Sequence, residues 1–294
     1  MEEEVSSPPK QAQNATHPTH PPLAPSNNKR PNLGRAARRR RRKERDIQQQ
    51  LVALSQGTYT APVSVLPDDR QRVGPAVEAL RKKFEWSDCD DSELRAQLGY
   101  VPGNAVRVAA RWKDYDPTAS NNAPVVLQLY PLAYRRVYEG GKTDGRSFKG
   151  RKRMTTIVAN SAEDEWLIEP FPTIYWLTHP LLHTLVSQLE VQGFGKVCED
   201  RLQHDPHALS RMQRAHDAYR EERLALWNAS SPAEEAVAQH GFLHTGIAGM
   251  RNPAAVKCLH AHTAHFLSGC ANNVIGAWVL EELRQGVAAV ETPP

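Results

Sequence analysis

The sequence lacks the marks of membrane and secreted proteins. None of its apolar runs approaches the roughly 18 residues that a membrane-spanning helix needs. The first four residues, MEEE, are acidic and no apolar core follows them, which argues against a secretory signal or a transit peptide. The few cysteines are widely spaced, without a CxxC pair, which favours reduced thiols over a disulfide framework. They are Cys89, Cys198, Cys258 and Cys270. We therefore expect a soluble protein of the nucleus or cytoplasm, neither secreted nor bound to a membrane.

The sequence also lacks the common catalytic motifs. It contains no glycine-rich phosphate loop followed by Lys-Ser/Thr, no GxSxG, no HExxH and no prominent pair of carboxylates. These absences remove the usual sequence evidence for a nucleotide hydrolase, a serine hydrolase or a zinc protease. Substrate, reaction type and oligomeric state are therefore not indicated by any such motif.

Positive charge is concentrated at the N-terminus. Residues 1–50 hold 11 Lys and Arg against 5 Asp and Glu, a net charge of +6, while the remainder holds 26 against 28, a net charge of −2. Residues 1–50 predict a disordered basic tail and residues 51–73 a linker, because few large apolar residues are available to bury. The unbroken basic block from Arg38 to Lys43 has three interpretations: a nuclear-import address read by an import receptor, a contact with nucleic-acid phosphates, or a solubility tail.

Residues 74–294 predict one globular α+β domain, with a small mixed or antiparallel sheet followed by a run of packed helices. Short β-like runs span residues 105–109, 124–130, 155–159 and 173–177, and residues 140–165 predict a loop insertion. Prolines 180, 206, 232 and 253 follow candidate N-caps and predict helix starts. The Lys/Arg-rich segment 135–153 is a second candidate for nucleic-acid contact, although pairing within the loop is the alternative.

Two segments carry a resemblance to a known family. The first is residues 170–182, PFPTIYWLTHPLL, continuing to SQLE at 187–190 and to Gly193; the second is residues 256–265, VKCLHAHTAH. A helical segment with His216 and Tyr219 lies between them. Together they resemble the domain-of-unknown-function 501 family, found mostly in bacteria, over roughly residue 100 to the end apart from the insertion.

The resemblance implies candidate site residues but no activity, because the family is named for lacking one. The implied residues are Lys257, Cys258, His260, His265, His216 and the turn Thr178-His179-Pro180. The resemblance also implies Cys or His at position 179 and an apolar residue at the position of His262. Cysteines that it implies just after Arg111 are absent from this chain, which reads WKDY at residues 112–115.

The densest group of soft metal ligands lies between Cys258 and Cys270. On an ideal helix Cys258, His262 and His265 share one face, and His260 lies opposite. The i,i+4 spacing of Cys258 and His262 and the i,i+3 spacing of His262 and His265 are typical of Zn²⁺ ligands on a helix. His179 is a candidate for a further ligand. The alternatives are core packing of the thiol with hydrogen-bonded histidines, and a catalytic role for Cys258 or a histidine without metal.

The turn at His179 predicts a second kind of site. It joins a strand to a helix that begins with proline, so free N–H groups at the helix start could bind a small anion. Cations that could complete such a site are Arg107, Arg111, Arg251 and Lys257. The alternative is an ordinary strand-to-helix turn.

Three functions follow from these features. The first is a small-ligand site, for an anion or a metal, between the 178–180 turn and the 258–265 helix, with enzymatic activity left open. The second is a nucleic-acid or ribonucleoprotein adaptor that uses the basic tail and segment 135–153. The third is a structural interaction module without chemistry.

Overall fold

The structure of the protein is a computed structural model. It describes residues 34–61, 71–115, 118, 121–136, 142–143, 146–147, 156–159, 165–228, 232–238 and 241–291. Residues 1–33, which were expected to be disordered, lie outside the described residues, as does most of segment 135–153. The helices are α1 (Arg35–Ser55), α2 (Pro75–Lys83), α3 (Asp88–Leu98), α4 (Trp112–Tyr115), α5 (Pro180–Gln192), α6 (Phe194–His204), α7 (Pro206–Leu226), α8 (Pro232–Ala238), α9 (Leu259–Leu267) and α10 (Val274–Glu291).

All described strand pairs are antiparallel, and together with the helices they confirm the α+β class. One sheet has the strand order β1-β4-β8-β7, a second has the order β2-β3-β9, and β5 and β6 form a two-stranded ribbon. The strands are β1 (Gln71–Arg72), β2 (Ala105–Arg111), β3 (Pro124–Leu129), β4 (Leu132–Arg136), β5 (Lys142–Thr143), β6 (Arg146–Ser147), β7 (Thr156–Ala159), β8 (Glu165–Pro170) and β9 (Tyr175–Leu177). Strand β3 is central and buried along its whole length, as expected for the apolar run PVVLQL.

The predicted loop insertion at 140–165 is partly sheet. Its residues 156–159 form β7, which pairs with β8, and β8 pairs in turn with β4. Arg135 of β4, which belongs to the basic segment, lies 2.8 Å from a carboxylate oxygen of Glu169 on β8. At Arg135, therefore, the positive charge is neutralised within the protein.

Local signals fix most helix ends. Ser87 accepts from the backbone of Asp90 while Asp90 accepts from that of Ser87, a capping box at the start of α3. Asp205 caps the start of α7 by accepting hydrogen bonds from two backbone N–H groups. Pro253 was expected to start a helix and does not, because residues 253–254 form a turn and α9 begins at Leu259.

The last part of the predicted disordered tail is a helix that packs on the domain. Helix α1 lies along α5, buries Ile47, and places Gln50 Oε1 3.3 Å from the Thr184 hydroxyl oxygen. The Lys43 ammonium lies 3.5 Å from Glu190 of α5. Disorder was therefore the wrong prediction for residues 35–50, because contacts with α5 compensate the repulsion between like charges.

Helices α2, α3, α4 and α9 contact the three-stranded sheet, whereas α8 contacts β7 and β8 of the four-stranded sheet. Strand β9 contacts α9, and α9 packs against both α5 and α10. The turn at residues 178–179 leads directly from β9 into α5, so the two family-like segments become neighbours. Among the helices in the described ranges, none combines the length and the apolar character that crossing a bilayer would need.

Candidate functional site

Cys258 lies just outside helix α9 and not on its face. Its backbone is extended, with φ −150° and ψ 113°, and it is the N-cap residue of the helix. The helical-wheel argument that grouped Cys258 with His262 and His265 therefore does not hold, because it assumed a helix running through residue 258. The Cys258 sulfur instead lies 3.9 Å from Nδ1 of His260, the histidine that had been assigned to the opposite face.

A carboxylate from α5 completes this group. Glu190 Oε1 lies 3.0 Å from His260 Nδ1 and accepts the backbone N–H of Leu259 at 2.9 Å. Within the described residues, Glu190, Cys258 and His260 are the one set of three potential ligands whose donor atoms lie within 4.8 Å of one another. Two loci that are distant in sequence thus meet at the start of α9.

The other ring nitrogen of His260 is oriented by α5. Its Nε2 lies 3.0 Å from the backbone carbonyl oxygen of His183 and 3.0 Å from the Ser187 hydroxyl oxygen. Burial would lower the pKa of His260, but hydrogen bonds with Cys258 and Glu190 raise it to about 9. Burial would likewise raise the pKa of Glu190, whereas the hydrogen bond and charge of His260 lower it to about 2.

A cavity of about 550 Å³ opens beside this group. Its walls come from α1 and the segment after it, the end of α3, strand β9, the start of α5, and α9. Much of the wall is aromatic or aliphatic, including Tyr59, Tyr100, Tyr175, Trp176, Leu177 and Ala261. One end carries Lys257, Cys258 and His260, and no Asp or Glu is among the described residues that line it. Thr178 and Pro180 line the same cavity, so both family-like segments contribute to one site.

The ring of His179 does not form part of that wall. It stacks on Trp112 with ring centroids 4.4 Å apart, and its side chain makes no capping hydrogen bond to α5. Its Nδ1 is buried and has no hydrogen-bond partner among the described residues, and burial lowers the pKa of the ring. The segment after Arg111, where the resemblance implied cysteines, therefore lies against the 178–180 turn in space.

His216, His262 and His265 form a separate buried cluster. Asn273 joins two of them, with its side-chain atoms 3.2 Å from His262 Nδ1 and 3.3 Å from His265 Nδ1. The His265 ring stacks on Tyr175 at 5.6 Å, and the His216 and His262 centroids are 6.2 Å apart. Burial is the main cause of the lowered pKa of each histidine, to about 4 for His216 and about 3 for the other two. The cluster is therefore uncharged at neutral pH.

The four candidate cations for an anion site have different surroundings. The Arg111 guanidinium pairs with Asp90 and with Glu93, the latter at 2.9 Å, so its charge is compensated. Arg107 donates to Gln128 at 2.6 Å and stacks on Phe84. Arg251 is exposed and does not line the cavity, whereas Lys257 is exposed and does. Of the four candidates, Lys257 alone lies at the cavity.

Three residues of this region had no role assigned from the sequence. Glu190 lies inside the first family-like segment, and Asn273 follows the second closely. Arg223 is fully buried and donates to several backbone carbonyls, among them Pro172 O at 3.0 Å and Leu243 O at 3.1 Å. The sequence could have indicated this role, because Arg223 lies on the same face of α7 as Met212, His216 and Tyr219. A buried arginine on an apolar helix face needs hydrogen-bond acceptors around it.

Comparison with known proteins supports the family resemblance. A family model described as "Protein of unknown function (DUF501)" matches residues 117–281, more than half of the chain. No curated protein and no solved structure matches the sequence. The matched range includes β9, α5 and α9, and with them every member of the Glu190, Cys258 and His260 group. The chain belongs to the DUF501 family.

Proposed function

We propose that the protein binds a small amphipathic anion in the cavity between β9, α5 and α9. The observation that carries this proposal is the composition of the cavity wall, which is mostly apolar and has Lys257 beside a thiol and an imidazole at one end. A volume of about 550 Å³ is in the range of sites for small organic ligands.

The chemistry of the wall favours a particular class of ligand. Aromatic rings such as Tyr100 and Trp176 favour a flat or aliphatic body. Because the described lining residues include no acid, the positive charge of Lys257 is not neutralised inside the cavity, and a carboxylate or phosphate at that end would gain its attraction. The proposed ligand therefore has an apolar body and one anionic end.

The same end of the cavity carries the groups that an enzyme would use. A thiol and an imidazole line that end, and the Glu190 carboxylate, which does not line the cavity, contacts the imidazole from α5. A bound anion that contacts Lys257 would lie next to Cys258 and His260. We therefore propose that the ligand is a substrate and that its anionic end, or the atom next to it, reacts.

Thermal-shift and calorimetric titrations test the class of ligand. The compounds are phenylphosphonate and benzoate, with benzamide as the neutral analogue of benzoate. Both anions should bind more tightly than benzamide, and Lys257→Gln should weaken anion binding about 2- to 5-fold, as expected for a partly exposed ion pair. Arg251→Gln, the matched loss of an exposed cation outside the cavity, should have no effect. Equal binding of benzoate and benzamide, unaffected by Lys257→Gln, would refute the proposal.

A second candidate function is contact with a polyanion through α1. The specific observation is that Arg38, Arg39 and Arg41 are exposed and, within the described part of the chain, form no ion pair. A helix that presents unpaired arginines beside one another fits nucleic-acid phosphates or an acidic receptor groove.

Salt dependence separates the two candidates. If α1 binds nucleic acid, affinity for a duplex of any sequence should fall by roughly 0.9 log units per log unit of salt for each phosphate neutralised. Changing Arg38, Arg39 and Arg41 together to Gln should reduce that slope, while Lys257→Gln should leave it unchanged. Duplex binding that is absent at low salt would remove the second candidate and leave the first untouched.

A further inference from the structure

We infer that Glu190, Cys258 and His260 form a binding site for one divalent metal ion, with Zn²⁺ favoured, at the end of the cavity. This inference deepens the proposed function, and the chemical role it gives the metal rests on that function. The ligand set differs from the Cys258, His262, His265 and His179 set that helical spacing had suggested.

The first argument is the direction from which the three groups meet. In a nucleophile–histidine–acid triad the two partners use different ring nitrogens, so that one orients the ring while the other exchanges a proton. In this site the Cys258 sulfur and the Glu190 carboxylate both face Nδ1 of His260, at 3.9 and 3.0 Å. Convergence of three donor atoms on one point is the arrangement around a shared cation.

The second argument is the protonation of His260. A carbonyl oxygen can only accept, so the contact between Nε2 and the His183 carbonyl places a proton on Nε2. In the neutral ring Nδ1 then carries a lone pair, which faces a carboxylate oxygen. That contact therefore requires either a proton on Nδ1, which makes the ring an imidazolium, or a metal ion between the two atoms. An imidazole whose distal N–H donates to a backbone carbonyl is also how metal-bound histidines are oriented.

The third argument is the chemistry of the donors. One thiolate, one carboxylate and one neutral imidazole balance a charge of +2, and this mixture of soft and hard donors suits Zn²⁺. In a tetrahedral Zn²⁺ site the N···O separation is about 3.4 Å and the N···S separation about 3.6 Å. The observed separations of 3.0 and 3.9 Å lie within about 0.4 Å of these values, so a small side-chain adjustment would bring the donors to a tetrahedral site. Three protein ligands leave a fourth position free, as in catalytic zinc sites.

The proposed metal site lies between two openings, one through which the ion could enter and one in which a substrate could bind. Cys258 and Lys257 line both the cavity and an outer groove of about 430 Å³, which also includes Glu190 and Lys196. An anion bound near Lys257 could thus reach the free coordination position. There the metal would polarise a carbonyl or phosphoryl oxygen of the ligand.

A purely structural arrangement of the same residues is the competing explanation. Glu190 accepts from Leu259 at the start of α9, where a carboxylate stabilises the helix dipole, and a proton on Nδ1 would make His260 an imidazolium paired with it. In that arrangement the Cys258 thiol is not required, so the response of the site to cysteine substitution decides between proton and metal.

Cobalt binding to the full-length chain tests the inference. The metal-free protein, titrated with Co²⁺ alone, should bind one ion per chain and develop a thiolate-to-cobalt charge-transfer band, and Zn²⁺ should displace the ion. Cys258→Ser should abolish the band, and Glu190→Gln, which keeps an acceptor for Leu259, should weaken binding at least roughly 10-fold. Cys89→Ser, which removes an exposed cysteine elsewhere, should change neither.

The outcomes separate this inference from the proposed function. Absence of stoichiometric Co²⁺ binding by the wild type, or an undiminished band in Cys258→Ser, overturns the metal site. If phenylphosphonate still binds in that case, the cavity proposal stands alone. If Co²⁺ binds with the expected band but phenylphosphonate and benzoate do not bind, the metal site stands and the proposed ligand class fails.

Discussion

Mild acid should destabilise this protein, because three buried histidines have to remain uncharged in the folded state. The pKa values of His216, His262 and His265 in the folded protein are about 4, about 3 and about 3, below the value of about 6.5 for an exposed histidine. Between these limits the unfolded chain binds protons that the folded chain does not. Since stability rises with pH wherever the unfolded state binds more protons, it should be complete above about pH 6.5 and decrease as the pH falls below that value.

The expected loss is large compared with ordinary stability. At about pH 5 an unfolded histidine is stabilised by protonation by about 2 kcal/mol, since each pKa unit corresponds to about 1.4 kcal/mol. All three folded pKa values lie well below pH 5, so shifts of a few tenths in them hardly change this figure. In the metal-free protein the contribution of His260 to the free energy of unfolding changes in the opposite sense, by less than about 1 kcal/mol, because the pKa of His260 is raised in the folded state. A net loss of about 5 kcal/mol remains, against a typical total of about 5–15 kcal/mol.

Urea unfolding of the metal-free protein at several values between about pH 7 and about pH 5 measures this loss directly. His216→Leu should reduce the pH dependence by about one third, because both ring nitrogens of His216 are buried without partners among the described residues and one titrating group is removed. His207→Gln, at an exposed histidine of the same helix, is the matched control and should leave the pH dependence unchanged. A free energy of unfolding that is constant over this interval would refute the reasoning, as would an equal slope in wild type and His216→Leu.

Three further changes test the packing around the site by urea unfolding at neutral pH. Arg223→Met should cost about 3 kcal/mol or more, because it leaves several buried carbonyls without a donor; a cost below about 1 kcal/mol would contradict this. Gly246→Ala should destabilise strongly, since a Cβ there would lie 1.9 Å from His216 Nδ1, whereas Gly195→Ala, with its nearest neighbour at 3.6 Å, should be tolerated. Ile47→Ala should cost about 2 kcal/mol if α1 packs on α5, and no change would mean that it does not.

Strands β2, β3, β7 and β9 and most helix starts were predictable because their signals are local. The apolar run of β3, the capping residues Ser87 and Asp205, and the left-handed glycine after α3 each act within a few residues of chain. Strands β4 and β8 were missed, because each is short and its pairing partner, the other strand, lies about 30 residues away along the chain. Pairing of that kind leaves little trace in either strand alone.

Helix α1 shows why charge patterning was not sufficient. A run of arginines predicts an extended, solvated chain, since like charges repel. One apolar side chain, Ile47, and the contacts of Lys43 and Gln50 with α5 change that outcome. These contacts depend on the surface of another helix, which the sequence of the tail does not contain.

The sequence by itself determined the class of fold, the family and the two segments that carry the site, because periodicity, caps and motifs are properties of contiguous residues. Only the tertiary structure decided which reactive side chains meet. Glu190 and His260 are 70 positions apart in the sequence. Helix α9 begins at Leu259, where the Glu190 carboxylate accepts the backbone N–H, and Cys258 therefore lies before the helix and not on its face. Helical spacing places neighbours correctly only inside a helix, and where this helix begins is determined together with its packing against α5.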